Sequence, residues 1–118
     1  MILQVDDISI FHPEGELDTV EGGDLVEKIR QFLRCDWSKI VLDLTEVSHI
    51  HYRVLGDLLR LAVASSTRDG GIKLANVTPY NRDILRITGV ERSFETYDSV
   101  AEAILSFQNH LAGPCQLH

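Results

Sequence analysis

The chain has 118 residues and a mass of 13.3 kDa, the size of one ordinary domain and too small for two. Its 18 Asp and Glu against 11 Lys and Arg leave a formal charge of -7. That balance argues against a sequence-independent nucleic-acid binder, which needs a basic face to displace counterions, and against docking on an anionic membrane surface.

Ile2 to Val5 and Ile8 to Phe11 read as two short strands, and Asp6-Asp7 between them suits a tight antiparallel turn. Pro13-Glu14-Gly15 is punctuation. From Asp24 the apolar set Leu25, Val26, Ile29, Phe32 and Leu33 describes one face of a helix, whose first turn Gly22-Gly23 weakens. Lys39 to Leu44 is a near-continuous apolar run of strand length, expected to be buried and parallel. Val54 to Ala64 returns to helical period, with Leu55, Leu58, Leu59, Ala62 and Val63. Asp69-Gly70-Gly71 ends that helix, and Ile72 to Val77 is the next strand. Thr78-Pro79 opens a third helix that Gly89 closes. Phe94 to Tyr97 is a short edge strand, and Asp98 or Ser99 caps a last helix carrying Val100, Ile104, Phe107 and Leu111. The order β, β, α, β, α, β, α, β, α predicts a largely parallel sheet with helical cover and an antiparallel hairpin at its start.

Residues 1–112 are expected to form one domain and residues 113–118 a frayed tail. The N-terminus has no basic region followed by a long apolar stretch, and no apolar run reaches the roughly 18 residues of a membrane span. Cys35 and Cys115 are too few and too far apart to mark a zinc site or a disulfide framework, so two reduced thiols and a cytoplasmic location are expected.

The segment from Val41 to Gly56 joins the central strand to a helix, whose amino end offers unpaired N–H groups and a positive dipole end. Its sequence resembles the STAS domain of bacterial anti-sigma factor antagonists. That family follows a strand like Val-Leu-Asp-Leu with a stretch such as Val-Thr-Phe-Ile-Asp-Ser-Ser-Gly-Leu-Gly. Here the stretch is Val47-Ser48-His49-Ile50-His51-Tyr52-Arg53-Val54-Leu55-Gly56. Gly15-Glu16-Leu17-Asp18 resembles the family's motif before its first helix. Gly70-Gly71-Ile72-Lys73-Leu74 and Leu85-Arg86-Ile87-Thr88-Gly89-Val90 resemble its later strand and helix end. The resemblance extends from about Ile8 to Leu111.

The resemblance implies a single α/β domain of STAS type: a mixed sheet of four to five strands with about four helices packed mainly on one face. It also implies a non-enzymatic bacterial signalling module without a cofactor. Such a module binds a protein partner, an anti-sigma factor that doubles as a serine kinase or another STAS protein, and phosphorylation at the start of the second helix breaks that binding. A nucleotide-binding STAS domain or a subunit of a lipid-transport assembly is the alternative.

The chain departs from the family at the switch. The family's Asp falls on His51, its two hydroxyl residues on Tyr52 and Arg53, and its next Gly on Val54. With no Ser or Thr at the usual position, the ordinary phosphorylation switch is expected to be absent; Tyr52 and Ser48 are the hydroxyl side chains nearby. The expected partner face is His51, Tyr52, Arg53, Gly56, Asp57 and Arg60 with the loop around Asp18. Tyr and Arg are enriched at interface hot spots, whereas the plain alternative is a solvated turn. Gly56 would admit a partner backbone or, equally, avoid a clash with a neighbouring helix. Asp18 has a plain alternative too, as a helix-start cap. His49 and His51 would share a face if both lay on one strand, but no third ligand has metal-site spacing. A homodimer through a sheet edge or this helix stays open.

Overall fold

The computed structural model describes residues 2–66 and 70–116, with the side chains of 109–116 outside the description. The elements are β1 (Ile2–Val5), β2 (Ile8–Phe11), β3 (Gly15–Leu17), α1 (Glu21–Arg34), β4 (Lys39–Asp43), β5 (Val47–Ile50), α2 (Tyr52–Ser65), β6 (Gly71–Ala75), α3 (Pro79–Ile87), a 3-10 turn at Glu91–Ser93, β7 (Glu95–Tyr97) and α4 (Val100–Gln116). The expected tail therefore begins within the last turns of α4, and residues 117 and 118 lie outside the described residues.

Five strands form one sheet in the order β1-β2-β4-β6-β7. β1 pairs antiparallel with β2 across the Asp6-Asp7 turn, and the other pairings are parallel. The apolar run of β4 sits in the middle, and Ile40, Val41 and Leu42 have no exposed surface. Each such side chain contributes roughly 1.5–3 kcal/mol by leaving water. Ile40 and Leu42 face the larger core, with Val26 and Ile29 of α1, Val54, Leu55 and Leu58 of α2 and Leu85 of α3. Val41 faces a smaller core with Ile8, Ile10, Ala103 and Phe107, the last two from α4. Three helices thus cover one face and the fourth covers the other, which agrees with the expected mixed sheet with helices mainly on one face.

β3 and β5 form a separate two-stranded parallel sheet that hydrophobic alternation did not reveal. Each has only three or four residues and carries polar side chains between its apolar ends. Two helices begin earlier than their apolar periodicity predicts. α1 starts at Glu21, before Asp24, where Asp18 accepts from the Glu21 N–H; α2 starts at Tyr52, before Val54, where His51 caps it. β6 stops at Ala75, short of Val77, because Asn76 turns the chain with φ 58°. Thr78 caps α3 and Ser99, rather than Asp98, caps α4. No helix among the described residues is long and apolar enough to cross a membrane.

Candidate functional site

The small β3–β5 sheet places the start of α1 beside the start of α2. Leu17 is in register with Ile50, and the Leu17 carbonyl accepts a hydrogen bond from the His51 N–H at 3.0 Å. Beyond Leu17, the Asp18 carboxylate accepts from the N–H groups of Val20 and Glu21 at 3.0 and 2.8 Å. Asp18 therefore does the work of a helix-start cap, while standing one hydrogen-bonded step from His51.

His51 has extended backbone angles, and its Nδ1 accepts from the Arg53 N–H at 3.1 Å. It does for α2 what a capping Asp or Ser does elsewhere, satisfying one of the orphan N–H groups of the first turn. The bond needs a bare Nδ1, so the proton of the neutral ring sits on Nε2. Tyr52 stacks on the His51 ring, with centroids 4.6 Å apart, and stays 63% exposed. A tyrosine left open in this way is a feature of interface surfaces.

Tyr52, Arg53, Gly56, Asp57 and Arg60 line one open depression on α2. Val54, Leu55 and Leu58 point the other way, into the core. Arg60 pairs with Asp57 at 2.9 Å, one turn earlier. Arg53 has no ion pair among the described residues, and the first turn of α2 carries no acidic residue. A cation at a helix amino end opposes the macrodipole. A Cβ built on Gly56 would meet nothing within 4 Å. Clash avoidance within the chain therefore does not explain this mid-helix glycine, although glycine costs a helix about 1 kcal/mol against alanine.

Gly22 is the opposite case. A Cβ there would lie 2.3 Å from Cγ2 of Val54 and 3.2 Å from its Cβ. α1 and α2 touch at their first turns, and Gly22 makes room for a valine at the position where the resembling family has glycine. Gly22-Gly23 signals a weak helix start in the sequence, but its packing role appears only once the helices are placed.

The two histidines do not converge. His49 lies on β5 with Nδ1 3.0 Å from the Tyr80 hydroxyl of α3, and His51 is occupied as the α2 cap. Among the described residues no group of three or more His, Cys, Asp or Glu side chains is placed to hold a metal ion. Ser48 is exposed on β5, away from the α2 depression lining. Cys35 is an exposed free thiol, and the side chain of Cys115 lies outside the description.

Asp43 ends β4 and fixes the loop that leads to β5. Thr45 donates to it from both N–H and Oγ1, Asn76 Nδ2 donates at 3.0 Å, and His12 Nδ1 lies 3.0 Å away. Burial pushes this carboxyl up, but the hydrogen bonds from Thr45, Asn76 and His12 outweigh it and hold it below the ordinary value. His12, 31 positions earlier, could not be found as its partner by local pattern.

A family model described as STAS domain matches residues 1–103. A Thermotoga maritima protein named as a candidate anti-sigma factor antagonist is 29% identical over 102 residues, covering 85% of this chain and 89% of its own length. A crystal structure of a candidate anti-sigma factor antagonist from Thermotoga maritima superposes with a TM-score of 0.83 at 25% identity, covering 92% of this chain and 93% of that one. An anti-sigma factor antagonist from Mycobacterium paratuberculosis superposes with a TM-score of 0.78 at 21% identity, covering 92% of each chain.

Proposed function

Given that the chain belongs to the STAS domain family, we propose that it acts as an anti-sigma-factor-antagonist-like interaction module whose docking face is the first half of α2, and which lacks the usual Ser/Thr switch. The protein works in a bacterial cytoplasm and performs no catalysis. Its partner is an anti-sigma factor of the serine-kinase type or another STAS protein. Tyr52, Arg53, Gly56, Asp57 and Arg60 make the contact, with His51 setting the helix start and Asp18 holding the adjoining turn.

The observation that carries this reading is Gly56. It lies between two arginines on an open helix face, costs the helix stability, and has no packing duty inside the chain. A partner backbone resting on the helix there accounts for it. Arg53 supports the same face, because an acidic group on the partner would offset its unfavourable place at the positive helix end.

The absent switch follows from chemistry. Arg53 stands where the family places a hydroxyl, and its guanidinium takes no phosphate from a serine kinase. Phosphorylation would add roughly -1.5 to -2 charges at this surface; here a cation is built in. Binding is therefore constitutive at this position.

The test is affinity capture from the native cytoplasm with wild type and with Arg53→Glu plus Gly56→Trp. Loss of a specific stoichiometric partner from the double variant supports the face. Full retention of the same partner rejects it. Intact-mass measurement of the native protein tests the switch separately: a stoichiometric single phosphate on Tyr52 or Ser48 contradicts its loss.

A further inference from the structure

The four helices are not capped alike. α1, α3 and α4 begin on Asp18, Thr78 and Ser99, whose side-chain oxygens accept from the N–H groups of Glu21, Asn81 and Glu102. α2 begins on a histidine, the side chain whose ordinary charge change falls between about pH 5 and 8, a range that hydroxyls and carboxylates do not share. His51 Nδ1 accepts from the Arg53 N–H at 3.1 Å, and that bond exists only while Nδ1 is bare.

We propose that His51 is a pH-sensitive cap: protonation of its ring releases the Arg53 N–H and loosens the first turn of α2. The imidazolium carries an N–H on both ring nitrogens, so a donor would face a donor. It would also set a second cation beside Arg53 at the positive end of the helix. No other group takes over the cap. The first turn of α2 has no acidic residue, and among the described residues the Arg53 N–H is the one first-turn donor with a side-chain partner. The ring is half-buried, so solvent protons reach it. The change stays local. The Leu55 N–H still donates to the His51 carbonyl at 3.1 Å, and the His51 N–H still donates to the Leu17 carbonyl.

Charged and titratable groups stand on each element around the ring. β3 and the turn after it carry Glu16 and Asp18, the start of α1 carries Glu21, β5 carries His49, α3 carries Tyr80, and α2 itself carries Tyr52 and Arg53. The Asp18 carboxylate is taken by the Val20 and Glu21 N–H groups. Glu16 is exposed opposite His49, and Glu21 is exposed at the start of α1. His49 Nδ1 is engaged by the Tyr80 hydroxyl. The three carboxylates attract an imidazolium through screening solvent, but among the described residues none bonds to the His51 ring, and none replaces the bond that is lost. Tyr52, stacked on the ring, and Arg53 both lie in the loosened turn. Acid would therefore weaken docking there, a consequence that rests on the proposed docking face, whereas the cap itself is tested without a partner.

The experiment compares the full chain, wild type and His51→Asn, from about pH 7.5 to about pH 5.5. Asparagine caps a helix well and does not titrate, and every other titrating group is common to the two proteins. Nuclear magnetic resonance follows the charge of the His51 ring and the exchange of backbone amides, corrected for the rate in an unstructured chain. Urea denaturation follows stability. As the ring charges, protection of the Arg53 amide should fall at least about twofold, the low end of what a lost cap costs. The Asn81 amide, held by Thr78, should keep its protection. The unfolding constant of wild type should rise at least about twofold relative to that of His51→Asn over the same range. A constant ratio of the two unfolding constants overturns the proposal. So does an Arg53 amide indifferent to the charge of the ring, or a ring that stays neutral until the whole chain unfolds.

Discussion

Replacing Gly22 by alanine isolates the contact that sets α1 against α2. The added Cβ would sit 2.3 Å from Val54 Cγ2, 3.0 Å from Cγ1 and 3.2 Å from Cβ. Rotating the valine does not fully relieve it, because the branch point at 3.2 Å is itself tight and χ1 of a helical valine is stiff. Overpacking of this kind costs typically about 1–3 kcal/mol. Alanine in a helix returns up to about 1 kcal/mol over glycine, so the net loss is about 0–2 kcal/mol. Gly23→Ala supplies the internal control, since its Cβ meets nothing within 4 Å. That change should stabilise by about 0.5–1 kcal/mol. The two neighbours should therefore differ by about 1–3 kcal/mol, or roughly 3–10 °C in Tm for a domain of this size. Urea denaturation of both variants, with Val54→Ala in each background, measures it as a double-mutant cycle. Val54→Ala should cost less in the Gly22→Ala background than in wild type. Equal stabilisation by both glycine substitutions, with no coupling to Val54, would refute the close approach of the two helix starts.

Other substitutions probe the site and the sheet end. His51→Ala removes the α2 cap and should cost about 0.5–2 kcal/mol in urea denaturation, whereas His51→Asp should hold or raise stability because it caps and complements the dipole. Gly56→Ala should stabilise the free protein by about 0.5–1 kcal/mol, since its Cβ enters open space, while weakening partner binding; a gain in both contradicts the docking role. Asp43 is depressed in the folded state, so its contribution is fully present above the unfolded carboxylate pKa, about 4, and is lost as pH falls through the lower folded value. Asp43→Asn should be less stable near neutrality and show a shallower acid limb below about pH 4 in stability-against-pH curves. An unchanged acid limb contradicts that linkage.

The parts of the fold that bury continuous apolar runs were readable in the residues. β4 and β6 announce themselves because both faces are covered, and the helices because their apolar stripes meet a sheet. β3 and β5 were not readable, since three or four residues pairing across a separation of about thirty positions leave no local period. The α2 depression was accessible in advance, because helical spacing alone puts Arg53, Gly56, Asp57 and Arg60 on one side. The cap on that helix was not: histidine is no usual capping residue, and its role depends on the Nδ1 position. The Gly22–Val54 fit also lay beyond local pattern, because it is a tertiary contact between two helices that begin side by side.

Central to the account is docking on α2 through the open space above Gly56. The most direct measurement is the dissociation constant of the captured partner for wild type and for Gly56→Trp, with folding of the variant verified by its denaturation curve. An indole placed in that space, with the fold intact, should weaken binding at least tenfold, about 1.4 kcal/mol. An unchanged dissociation constant for the folded variant contradicts it.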